Sequence, residues 1–108
     1  MTIKEALDTI GLPVEKLNYS GVAETYITFF EYQEISESSS DDEIEVLGHY
    51  VQVDLWTKTD FTIYKKQIKS AMKLADFVFT NGQELFEEDT KVYHYATRFV
   101  ASEDYDEN

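Results

Sequence analysis

From Gly48 to Trp56 the chain alternates with a period of two: Val51, Val53 and Leu55 fall on one side, and Tyr50, Gln52, Asp54 and Trp56 on the other. Successive side chains of extended backbone leave opposite faces, so this pattern predicts a central strand with one dry face. Farther along, Phe61, Tyr64, Ile68, Met72 and Ala75 recur at helical spacing, flanked by Lys65, Lys66, Lys69 and Lys73. A helix whose apolar stripe packs on the dry face of the sheet follows from that periodicity, with Thr59 or Asp60 as its cap.

The opening residues carry a helix start of their own. Thr2 and Glu5 have the spacing at which each side chain can satisfy the other's free backbone N–H, and Ile3, Leu7 and Ile10 supply an apolar face. Gly11 and Pro13 end that helix, and a short strand over 14–19 follows. The run Glu24 to Ile35 is dense in aromatic and β-branched residues and predicts a strand with both faces partly covered. Residues 36–43 are serine and acid with no apolar side chain to bury, which predicts a mobile loop. After the second helix come a short strand at Phe77 to Phe79, a turn at Asn81 and Gly82, and the apolar pair Leu85 and Phe86. A last strand covers Lys91 to Ala101, and the acidic tail 102–108 is expected to fray. The sum is one α+β domain over 1–101: a mainly antiparallel sheet of four to five strands with two helices on one face.

Composition narrows the function. With 108 residues, 43% of them hydrophobic, the chain can build one core without disulfides or metal. It contains no cysteine, so thiolate chemistry and cysteine-based zinc sites are excluded. The sequence opens without a signal-peptide pattern and never reaches the run of about 18 apolar residues that a membrane span needs, so a cytoplasmic protein with no membrane partner is expected. The net charge of −13 repels polyanions unless the positive residues are gathered. Partly they are: Lys58, Lys65, Lys66, Lys69 and Lys73 share a stretch whose one acid is Asp60, whereas Glu31 to Glu45 holds no basic residue. A two-sided molecule follows, its lysines forming either simply the solvated face of a helix or a docking surface for an acidic partner or neighbouring subunit.

Candidate chemistry is sparse. The two histidines, His49 and His94, lie in strands beside tyrosines and belong to no nucleophilic motif. A metal site from His49, His94 and Asp54 would require their strands to be adjacent, and local hydrogen bonding is the expected fate of both rings. Asp54, a carboxylate inside an apolar strand, is expected to form a structural pair across the wet face with Arg98, the chain's one arginine. No catalytic, cofactor-binding or metal residue is assigned, and no reaction is expected. The aromatic residues Tyr26, Tyr50, Trp56, Tyr64, Tyr93 and Tyr95 exceed what a small core buries, which points to protein contacts. The interface candidates are therefore Tyr50, Trp56, the four helix lysines, and the acidic residues Glu37, Asp41, Asp42 and Glu43.

Three segments carry a family resemblance: Tyr26 to Phe30 (YITFF), Gly48 to Asp60 (GHYVQVDLWTKTD) and Asp89 to Phe99 (DTKVYHYATRF). Their order and spacing resemble the tail completion proteins, also called tail terminators or tail-to-head joining proteins, of long-tailed bacteriophages and prophages of Gram-positive hosts. The resemblance implies a central sheet with helices on one face and a hexameric ring at the head-proximal end of the tail tube. It further implies three partners: copies of the chain itself, as a hexamer in the assembled virion with either a monomer or weak self-association expected in solution, the tail tube protein and the head connector or stopper. DNA would pass through the ring without specific binding. The place implied is the virion neck, reached from the host cytoplasm during assembly, with no cofactor and no reaction. A different class of function, a small acidic regulator or inhibitor that mimics DNA towards a basic partner, also fits the charge.

Overall fold

The computed structural model describes residues 1–37 and 44–106 of the chain. Helix α1 (Ile3–Asp8) starts at the expected capping box: Thr2 Oγ1 accepts from the Glu5 N–H at 3.1 Å, and Glu5 Oε1 accepts from the Thr2 N–H at 2.9 Å. These bonds hold the Glu5 carboxyl below its ordinary acidity range, because its charged form accepts the backbone N–H. Strand β1 (Val14–Lys16) is shorter than predicted, since Leu17 turns into the left-handed region at φ 71° and ends the extension.

Strands β2 (Tyr26–Ser36) and β3 (Ile44–Thr57) are antiparallel, with a bulge between Glu31 and Gln33. Helix α2 (Thr62–Leu74) follows, its first N–H held by Asp60 Oδ1 at 2.9 Å. Asp76 closes it at φ 66°, a conformation that a short polar side chain tolerates. Strands β4 (Val78–Glu87) and β5 (Val92–Asp106) complete a five-stranded sheet in the order β1-β2-β3-β5-β4, antiparallel except for β1 against β2. The expected α+β class, with its mainly antiparallel sheet and two helices, is the observed one.

The core lies between the helices and one face of the sheet. Leu7, Ile68 and Met72 from the helices meet Ile27, Val51, Val53, Leu55 and Phe99 from the strands, all of them fully or almost fully buried. Each such side chain contributes about 1.5–3 kcal/mol of burial. The alternation read in β3 is obeyed, with Val51, Val53 and Leu55 all on the dry side. In β2 the expectation of two covered faces holds only for Ile27, Thr28 and Phe29, and Glu31 to Glu34 are exposed. Among the described residues, no buried side-chain nitrogen or oxygen lacks a hydrogen-bond partner. Among the same residues no helix is long and apolar enough to cross a membrane.

Two segments depart from the sequence reading. Asn81 and Gly82 do not turn: β4 runs through them, and the hairpin to β5 is made by 88–91, with Lys91 at φ 59° and its N–H bonded to the Glu87 carbonyl. Gly82 serves packing instead, because a Cβ there would stand 3.0 Å from the Tyr95 hydroxyl. The second departure is β5, which continues past Ala101 and pairs with the start of β3 as far as Ile44 with Asp106. Backbone pairing needs no apolar side chain, so the acidic sequence there does not prevent a ladder. The predicted acidic loop falls largely on residues 38–43, outside the described ones, and Ser36 belongs to β2.

Candidate interaction surface

Helices cover one face of the sheet, and the other face is open across β2, β3 and β5. On it an aromatic row runs from Tyr19 to Tyr26, Trp56 and His94, with ring centroids 4.4, 6.3 and 3.7 Å apart in turn. Register builds the row, since Tyr26 pairs with Trp56 and Trp56 with His94. The indole N–H of Trp56 donates to Thr28 Oγ1 at 3.1 Å, fixing the ring flat on its neighbours. Burial pushes the Tyr26 hydroxyl above its ordinary pKa.

Beneath this row His94 Nε2 donates to Asp54 Oδ1 at 2.7 Å, and Gln52 Nε2 donates to the same oxygen at 2.9 Å. The expected Asp54–Arg98 pair is not formed. Asp54 sits opposite Ala96, so His94 and Arg98 are its two diagonal neighbours on β5, and the His94 diagonal closes. Arg98 instead donates from Nε to Gln52 Oε1 at 3.3 Å and lays its guanidinium 4.7 Å from the Tyr32 ring centre, at the β2 bulge. A shallow groove of about 280 Å³ lies here, lined by Gln52, Asn81, Gln83, Leu85, His94 and Arg98 among others.

His49 belongs to a different place. It lies on the helix side of the sheet but beyond the helices, where the β2 bulge brings both Glu31 and Glu34 onto its face. Its Nδ1 donates to Glu31 Oε1 at 2.8 Å and stands 3.6 Å from Glu34 Oε2, while Nε2 donates to Glu103 Oε1 at 3.3 Å. Hydrogen bonding to Glu31 is the main reason that the His49 pKa is raised, with Glu103 adding to it and burial opposing it. The expectation of local hydrogen bonds for both histidines is met, and the His49, His94 and Asp54 metal arrangement is not assembled. Glu31, Glu34 and His49 together offer three ligand atoms within 4.8 Å of one another, a grouping that the bulge creates and the sequence does not announce.

The interface candidates fall at separate places. Glu37 accepts the Tyr50 hydroxyl at 2.9 Å, which pushes the Tyr50 pKa up and pins that ring. Asp41, Asp42 and Glu43 lie outside the described residues. Lys65 reaches Glu84 at 3.4 Å, and Lys69 lies over the Phe79 ring at 4.4 Å, so both flank β4. Lys66 instead borders a groove of about 260 Å³ between α1 and α2. Lys73 is exposed one turn beyond Lys69. The charge asymmetry is therefore spatial: basic along α2 beside β4, acidic around His49 in a body 52 Å long.

No protein-family model matches the chain, and no curated protein matches its sequence. Among solved structures, a chain of the virion of a native gene transfer agent particle is similar to it at 14% identity, with a TM-score of 0.60. The similarity covers 93% of this chain and 84% of that one, and so this protein shares its fold, over most of its length, with a component of a gene transfer agent virion.

Proposed function

We propose that the chain is a structural protein of a tailed, phage-like virion, placed at the neck in a ring that ends the tail tube and joins the tail to the head connector. One coincidence carries the reading. The segments that resemble tail completion proteins lie on β2, β3 and β5 with their flanking turns, and the fold those strands build is shared with a chain from a gene transfer agent virion.

In this reading the protein works by binding and carries out no reaction. Its partners are copies of itself, six to a ring, together with the tube protein and the connector or stopper. The net charge of −13 suits a ring through which DNA passes without adhering. The open aromatic face and the lysine stripe supply two distinct contact surfaces for two different neighbours. A DNA mimic would present a continuous acidic surface, and the lysines of α2 interrupt it.

The test is electron microscopy of particles produced with and without this chain. Loss of the chain should leave full heads beside unjoined tails of irregular length. Tails of normal length on joined heads would refute the assignment.

A further inference from the structure

Besides the extension of β5 beyond Val100, the sheet leaves two unlike open edges among the described residues. One is β4: every residue from Val78 to Glu87 is exposed, including Phe79, Leu85 and Phe86, and its outer backbone groups have no partner among the described residues. Proline is absent from it, its bulge lies near one end, and of its ten residues only Glu84 and Glu87 are charged, so the edge is lightly guarded. The other edge belongs to β2. Strand β1 covers only Ile27, Thr28 and Phe29, which leaves Phe30 to Ile35 open on that side among the described residues.

Charge distinguishes the two edges on the same face of the sheet. Beside β4, on the helix side, stand Lys65 and Lys69, with Lys73 one turn on. Along the open part of β2, also on the helix side, stand Glu31 and Glu34 around His49. Strand direction agrees as well. Because β2, β3, β5 and β4 alternate in direction across the sheet, a second copy placed beside β4 in the same orientation brings its β2 in antiparallel.

We propose that copies of this chain associate head to tail, β4 of one pairing antiparallel with Phe30 to Ile35 of the next, while Lys65, Lys69 and Lys73 face Glu31 and Glu34 across the junction. The inference rests on the ring-subunit reading for its partner, a second copy of the chain, and names the surfaces that reading leaves open. The competing arrangements fail on charge. Pairing β4 with β4 would set two lysine stripes against each other, relieved only by Glu84, which Lys65 of its own chain already holds. Pairing the open β2 edge with β5 beyond Val100 would set Glu31 and Glu34 against Glu103. The contact is heterologous, so it closes into a ring when the rotation per copy permits, with sheet hydrogen bonds supplying affinity and the charges supplying direction.

The experiment is sedimentation of the purified full chain, at increasing concentration and low salt, for wild type, Lys69→Glu, Glu34→Lys and the double variant. Circular dichroism verifies that each folds. Wild type should self-associate, and added salt should weaken it. Each single variant sets like charges against each other across the junction and should weaken association by about tenfold or more. The double variant, and an equimolar mixture of the two singles, should recover it. A monomeric wild type at every concentration overturns the proposal, as does a Glu34→Lys variant that associates normally. Self-association of wild type without recovery in the double variant removes these edges as the contact and leaves the ring reading intact. That reading fails separately, by normal particles in the absence of the chain.

Discussion

His94 on β5 donates from Nε2 to Oδ1 of Asp54 on β3 at 2.7 Å, beneath the indole of Trp56. The Asp54 side chain is 6% exposed and that of His94 14%, so the bond lies where water does not compete well. It ties the two longest strands together on the face away from the helices.

Replacing Asp54 with Ala should therefore cost about 2–3 kcal/mol, because it strands a buried imidazole N–H and the Gln52 amide. Asp54→Asn keeps an acceptor and should cost less. Urea denaturation of both variants measures the difference. An Asp54→Ala variant as stable as wild type would show that the bond contributes nothing.

His49 makes stability depend on pH. Its folded pKa is raised above the ordinary histidine value of about 6.5, so the folded state holds the proton more tightly than the unfolded chain. The resulting stabilisation is complete below the unfolded pKa and declines as pH rises through the folded one, leaving Glu31, Glu34 and Glu103 without the cation between them. Denaturant midpoints taken from pH 5.5 upward should fall across this window for wild type and stay flatter for His49→Gln. Parallel pH profiles for the two proteins would contradict the role given to His49.

Gly82 should resist substitution although it lies in an exposed strand. Valine there places Cβ and two methyl groups against the Tyr95 ring, whose hydroxyl already stands 3.0 Å from the position of a Cβ. Displacing a buried tyrosine should cost about 1–3 kcal/mol. Were Gly82 part of a turn instead, the variant would leave the Tyr95 environment untouched, and near-ultraviolet circular dichroism distinguishes the two.

Ile68 anchors α2 to the sheet and is fully buried. Truncation to Ala should cost about 2–5 kcal/mol, a large share of the stability of a domain this size. Thermal unfolding reads the loss. A change below about 1 kcal/mol would mean that α2 is held mainly by other contacts.

Features written within one element are legible along the chain. The capping box of Thr2 and Glu5, the alternation of β3 and the apolar stripe of α2 are all intervals along the chain, and local backbone geometry converts those intervals directly into faces. The α+β class and the side of the sheet that is dry follow from them. Contacts between elements come from the packed fold. Asp54 has two diagonal partners on β5, and strand register together with the β2 bulge gives it His94 while drawing Arg98 towards Tyr32. The same bulge rotates Glu34 onto the face of Glu31 and so builds the His49 cluster, which neither residue signals alone. Gly82 read locally as a turn because glycine favours turns; pairing with Thr97 on β5 holds it in a strand, where a Cβ would crowd the Tyr95 ring. Which edges remain open is likewise a property of sheet order, and sheet order is set by packing between segments distant in sequence, beyond the reach of any local pattern.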